Sequence, residues 1–335
     1  MSTPTLTLLL MRIAVAARRV PLALAVLAAL ATFAAPRAFA QSWTPPPPAQ
    51  RCPSKWGATD ERGAANHVTA ASVLQAAKLI RTGEIIELGR VLASTMPLFG
   101  TRTFDLHTKR TNGPLGANKR YSNEELVVTE LGQVGTQLDM FSHQGIDGQS
   151  YNCIPIDSIA TRNGFQKLGV EKIGTLFARG VLIDVAAFKG VEMLSAGYEI
   201  TPADLQGAIA KQQLTLAKGD AVLIHTGWGR LWDQDVPRYG ASAPGIGVAA
   251  ATWLASQDVL LIGCDTASVE VSPNPDKTLD SPVHQIALVI NGIFLLENLK
   301  LDELASKDVK EFALIVEPLK IRGGTGSTVA PIAVR

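Results

Sequence analysis

Apolar positions along this chain follow two rhythms, and each predicts its own kind of element. Val73, Ala76, Ala77 and Ile80 recur at helical spacing behind Thr69, a capping residue, and Gly83 closes the run, which predicts a helix over 70–80. Thr201, Pro202 and Asp204 make a second helix start, with a cap, a proline in the first turn and an acid at the third position; Leu205, Ala208 and Ile209 form its buried stripe. Residues 245–256 predict a third helix, with Val248, Ala251, Trp253 and Leu254 apolar. Between these lie short β-branched runs at 85–88, 181–185, 221–225, 259–262 and 312–316, bounded by Gly or Asp. Their unbroken apolar character predicts strands buried on both faces. Strands and helices alternate after residue 180, which predicts an α/β domain with mixed sheets. Gly323 to Ser327 reads as a loop leading into an extended tail, and with no Lys-Ser/Thr and no helix after it, it is not a phosphate-binding loop. No internal repeat is present.

The first forty residues do not fit this pattern. Arg12, Arg18 and Arg19 precede an apolar run from Val20 to Leu30, and Ala38, Phe39 and Ala40 make a small-x-small cleavage site. That order predicts a secretory signal over 1–40, cleaved after Ala40, and a periplasmic or secreted protein with no membrane attachment after cleavage. The apolar run is short for a bilayer span. Four prolines, Pro45 to Pro48, then predict a stiff linker over 41–53, with the folded domain at 54–335. The chain has 31 basic and 30 acidic residues. Four of the arginines fall within 1–40, so the mature chain is slightly acidic. Without a basic stripe interleaved with aromatics, nucleic acid is not an expected partner.

Three cysteines in an exported chain allow one disulfide and one free thiol. Cys264 follows an apolar run and reads as a buried small hydrophobe, which leaves Cys52 and Cys153 as the remaining pair. Whether their Cα atoms come close enough to bridge is not decided by sequence. No CxxC pattern is present, so a thiolate zinc site is not expected.

Chemistry concentrates in two segments. Asp139 and His143 stand four residues apart behind Gly135, Thr136 and Gln137, and far downstream His284 and Glu297 flank Gly292. Carboxylate, imidazole and amide together are the ingredients of a hydrolytic metal site. His67 and His107 read as surface or capping residues, and His225 ends an apolar strand just before Thr226, Gly227 and Trp228.

The segment from Gln133 to His143 resembles the signature of the cyclase-like metal-dependent hydrolases, a family that includes bacterial kynurenine formamidase and isatin hydrolase. Its motif runs His-x-Gly-Thr-His-x-Asp-x-Pro-x-His. Gly135, Thr136, Asp139 and His143 match; Gln133 and Gln137 replace the two early histidines and Phe141 the proline. The stretch from His284 through Gly292 and Ile293 to Glu297 is similar to the family's second metal segment. Trp56-Gly57, Thr226-Gly227-Trp228, Asp265-Thr266 and Ser272-Pro273 are similar to markers of a longer-chain branch. The resemblance covers roughly residues 54–334.

It implies a single swivelling β/β/α domain, usually dimeric or tetrameric, that attacks a carbonyl with water and opens a small cyclic amide, lactone or aryl formamide. By the same resemblance Asp139, His284 and Glu297 hold a divalent metal, Zn or Mn, one per subunit. Gln133 and Gln137 occupy ligand positions, and Gln137 either ligates through oxygen or orients water and substrate. His143 is the general acid/base. Trp56, Phe141 and Trp228 are candidates to wall the pocket of a small-molecule substrate. A glutamine oxygen is a weaker donor than imidazole, so the first half of a dinuclear site should be lost. A dehydratase or lyase, and a non-catalytic periplasmic small-ligand-binding protein, are the rival readings.

Overall fold

In a computed structural model of the protein, residues 43–110 and 113–335 are described; the expected signal over 1–40 lies outside them. The described residues form one compact unit. Its frame is a nine-stranded mixed sheet: β1 (Ile85–Glu87), β2 (Gln137–Asp139), β3 (Leu176–Asp184), β4 (Ala221–His225), β5 (Leu261–Cys264), β6 (Phe294–Glu297), β7 (Glu311–Val316), β8 (Gly326–Thr328) and β9 (Ile332–Val334), in the order β1-β9-β7-β3-β4-β5-β6-β2-β8. The four central strands β3, β4, β5 and β6 run parallel, and the flanking pairs are antiparallel. Every residue of β4, β5 and β6 is buried, which is why their runs are apolar without alternation. This is the α/β architecture with a mixed sheet that the sequence predicts.

The local signals hold with shifts at the ends. Thr69 caps Ala70–Ala77, with Ser72 closing the capping box, and the helix stops before Ile80. Thr201 and Asp204 form a reciprocal box at the start of Pro202–Gln212. The third helix is Val248–Ser256, because Gly245 and Ile246 pair instead with Glu199 and Ile200 as a small parallel sheet. The run expected at 181–185 is the end of a longer strand, and Asp184 then caps Val185–Lys189 through the Ala187 amide. The ribbon Phe104–Arg110 with Asn123–Thr129 has no counterpart in the sequence reading; it is exposed along most of its length.

The segment expected as a linker is pinned to the domain. Pro48–Arg51 forms one helical turn, and the buried Arg51 donates to Gln149 Oε1 at 3.2 Å. Cys52 and Cys153 are joined by a disulfide with Cα atoms 5.9 Å apart, and Trp43 packs against the main core. Cys264 is free and buried, as its apolar setting predicts. Among the described residues no helix is long and apolar enough to cross a membrane.

Candidate metal centre

Two strands, one short helix and one 3₁₀ turn deliver the site. In β2, Gln137 and Asp139 are two residues apart and so share one face of the sheet. β2 lies between β6 and β8, with Gln137 directly opposite Glu297. That register turns all three side chains to one face and buries them. His284 arrives from the short helix Pro282–His284, which continues as a π-helix over Gln285–Asn291. Gly292 ends it at φ +60, a conformation that favours glycine, and its carbonyl accepts from the Ala64 amide at 2.7 Å. The widened turn and its sharp stop return the chain into β6, so His284 and Glu297, thirteen positions apart, meet over the sheet. His143 sits on a single 3₁₀ turn after β2, in which its amide donates to the Met140 carbonyl.

Ligand atoms converge. His284 Nε2 is 3.6 Å from Asp139 Oδ2 and 3.2 Å from Glu297 Oε1, and His143 Nε2 is 3.9 Å from Asp139 Oδ2. One atom each from Asp139, His143 and His284 lies within 4.8 Å of the others. Glu270 takes the other ring nitrogen of His284, Nδ1, and is itself held by the Val283 amide at 3.2 Å. With Nδ1 committed to Glu270, His284 turns Nε2 toward the two carboxylates, where loss of its proton would leave a lone pair for a cation. Asp139 Oδ2 and Glu297 Oε1 are buried without a hydrogen-bond donor. Two orphaned carboxylate oxygens facing an oriented imidazole fit one divalent cation.

Gln137 bridges the two carboxylates. Its amide nitrogen donates to Glu297 Oε2 at 2.9 Å and to Gln133 Oε1 at 3.2 Å, and lies 3.4 Å from Asp139 Oδ1. An NH₂ group aimed at two carboxylates ties them together and leaves only their outer oxygens open. The Gln133 carbonyl also accepts from Arg102 at 3.4 Å. Both glutamines thus act as neutral hydrogen-bonding bridges.

The electrostatics agree. Burial, together with the neighbouring Asp139 charge, pushes the Glu297 carboxyl up to about 7. Burial would lower His284, but its Glu270 hydrogen bond and the nearby Glu270 and Glu297 carboxylates hold it well above the ordinary imidazole value. Without a cation the site retains protons, and a divalent ion would replace them. His143 differs: burial outweighs Asp139 and lowers its pKa, so it is a free base near neutrality.

Gln133, Gln137, His143, His284 and Glu297 line a cavity of about 270 Å³ with Phe99, Arg102, Tyr239 and several serines. Trp56, Phe141 and Trp228 do not line it. Phe141 is fully buried between Phe294 and Tyr151, at ring separations of 4.8 and 4.6 Å, because the 3₁₀ turn that exposes His143 points Phe141 into the core. Trp228 is fully buried in a second apolar cluster and donates to the Tyr239 carbonyl at 3.3 Å. Trp56 lies edge-on to His67, with Lys55 over its face. Glu270, Arg102, Phe99 and Tyr239 were not foreseen; the one signal for Glu270 was its position between the Asp265-Thr266 and Ser272-Pro273 markers.

The sequence model of the Cyclase family matches residues 86–271. A crystal structure of a novel cyclase covers 84% of this chain and 96% of its own, at 34% identity and a TM-score of 0.75. The chain belongs to the Cyclase family. Within it, kynurenine formamidase from Delftia acidovorans is 40% identical over 114 residues, which is 33% of this chain and 47% of that protein. The Bordetella petrii kynurenine formamidase is 36% identical over 111 residues. The chain thus matches about half the length of these curated relatives. Isatin hydrolase A from Ralstonia solanacearum shares the fold at 22% identity, a TM-score of 0.54 and 80% coverage of this chain.

Proposed function

We propose that the protein is a metal-dependent hydrolase that opens an acyl bond of a small molecule, the C–N bond of aryl formamides and cyclic amides first and the C–O bond of lactones next. One observation carries this reading: the orphaned Asp139 Oδ2 and Glu297 Oε1 beside the Glu270-oriented Nε2 of His284. The partial matches to kynurenine formamidases support the amide over other acyl bonds. Asp139, His284 and Glu297 would hold one Zn or Mn ion, and when bound the ion would polarise the carbonyl and acidify water.

The chain's own groups do the rest. Glu270 fixes the His284 tautomer, and Gln137 holds the two carboxylates in register. His143, whose side chain is 20% exposed against 8% or less for the three ligands, stands at the cavity side as a free base. It takes a proton from water as the water oxygen bonds to the carbonyl carbon. It then gives that proton to the nitrogen as the C–N bond breaks, releasing acid and amine. The disulfide and the leader-like N-terminus support a location outside the cytoplasm.

The test pairs metal content with turnover on an aryl formamide in ¹⁸O-water. Asp139→Ala should lose both metal and activity. His143→Ala should keep the metal and lose about two to four orders of magnitude in turnover. A His143→Ala protein without metal would make His143 a ligand. Product free of ¹⁸O would overturn hydrolysis.

A further inference from the structure

We infer that the site selects an anionic substrate, one whose carboxylate is held by Arg102 while its scissile amide reaches Asp139 and His284. This rests on the hydrolase reading above and narrows its substrate class. Arg102 is half-buried and is the one lysine or arginine that lines the cavity. Its hydrogen bond in the structure runs 3.4 Å to a neutral acceptor, Gln133 Oε1. Among the described residues no carboxylate lies within ion-pair distance of its guanidinium, whereas Arg179, Arg230 and Arg335 each have one. A guanidinium offers five N–H donors in a planar fork that matches a carboxylate with two parallel bonds. Among the described residues, most of those donors have no protein partner.

The placement is built into the fold. The Arg102 amide donates to the Phe99 carbonyl at 3.2 Å, so one tight turn puts a ring and a cation on the same wall of the cavity. The Phe99 ring stands 6.4 Å from that of Tyr239, which gives the wall an aromatic face. Gln133 stands where the family motif has histidine, and it steadies Arg102 through its carbonyl. A neutral substrate would leave the guanidinium desolvated and unpaired, which is costly; a carboxylate would pair it. The cavity, about 270 Å³, suits a molecule of one or two rings. A planar amide that carries a carboxylate on its ring matches wall, cation and catalytic end together.

The experiment compares N-formylanthranilate with formanilide, the same aryl formamide with and without the carboxylate, on the Zn- or Mn-loaded protein. The wild type should favour N-formylanthranilate in kcat/KM. Arg102→Gln should reduce the ratio of the two kcat/KM values by about tenfold to a hundredfold, the worth of a charge-assisted hydrogen bond, and the loss should sit in KM. Arg102→Lys should restore part of it. A wild type without preference, or an Arg102→Gln protein that loses kcat equally on both substrates, would overturn the inference and make Arg102 a stabiliser of the reacting carbonyl. If neither compound is hydrolysed, the hydrolase reading fails, and calorimetry still decides the anion site. Benzoate should then bind the wild type more tightly than benzamide and lose that margin in Arg102→Gln; equal margins in the two proteins would remove the site.

Discussion

At the scale of single residues the site is a problem in burying charge. Asp139 and Glu297 are both buried, and His284 is the cationic group in ion-pair reach of both, with Gln137 donating to Glu297. Glu297 ionises near 7 because burial and Asp139 both oppose its charge. A folded value above the usual carboxylate range means that its linked stability is complete below about pH 4.5 and is lost as pH rises toward 7. Glu297→Gln removes that ionisation and keeps the shape. In metal-free protein the variant's Tm should exceed the wild type's at pH 8 and match it at pH 5. Added Zn or Mn should then raise the wild type's Tm more than the variant's. A variant that melts lower at pH 8 without metal would show that His284 already balances the Glu297 charge.

At the scale of elements, the carboxyl ends of the parallel strands gather the polar groups. Asp184 ends β3 and His225 ends β4, opposite one another in register, with 3.0 Å between His225 Nδ1 and Asp184 Oδ1. His225 Nε2 is 4.0 Å from Asp265 Oδ2, at the end of β5. Burial would lower His225, but the Asp184 hydrogen bond and the Asp265 charge raise it; burial would raise Asp184, but the same bond lowers it. The His225 contribution is complete below its ordinary value near 6.5 and is lost as pH rises through the folded value. The Asp184 contribution is present above about 3.8 and is lost as pH falls. The pair therefore stabilises most at about pH 5. Asp184→Asn keeps a helix cap for Ala187 and removes the charge. The wild type's advantage in Tm over this variant should peak near pH 5 and shrink as pH rises above 7. A pH-independent difference would mean that the pair is not ionic.

At the scale of the whole molecule, residues far apart in sequence are held by one buried sheet and one covalent tie. The disulfide links Cys52 to Cys153 across 101 positions and anchors the segment that carries Arg51 and Trp43. A native disulfide is typically worth about 2–4 kcal/mol, and loop-closure entropy puts a loop of this length near the upper end, at about 4–5 kcal/mol. Cys153→Ser should lower unfolding stability by about that much in denaturant melts, and a reducing agent should lower the wild type but leave the variant where it is. Equal melts for oxidised and reduced wild type would show that the tie does not constrain the unfolded chain.

Much of this was legible in the sequence. Unbroken apolar runs predicted the parallel strands, because a strand covered on both faces has no polar alternation. Thr69 and Thr201 announced their helices, since a cap is a local hydrogen bond among a few neighbouring residues. The motif around Asp139 and the pair His284 and Glu297 pointed to one another through their resemblance to a family. What sequence could not contain was direction. Phe141 and His143 are two residues apart, yet one is core and the other faces the cavity, and the 3₁₀ turn after β2 decides which. Trp228 looked like a pocket wall and packs in a separate apolar cluster. Glu270 and Arg102 reach the site from two loops and Tyr239 from a short helix, with no shared motif. Only the folded chain brings them together, because their chemistry depends on distances between segments that local propensity does not encode.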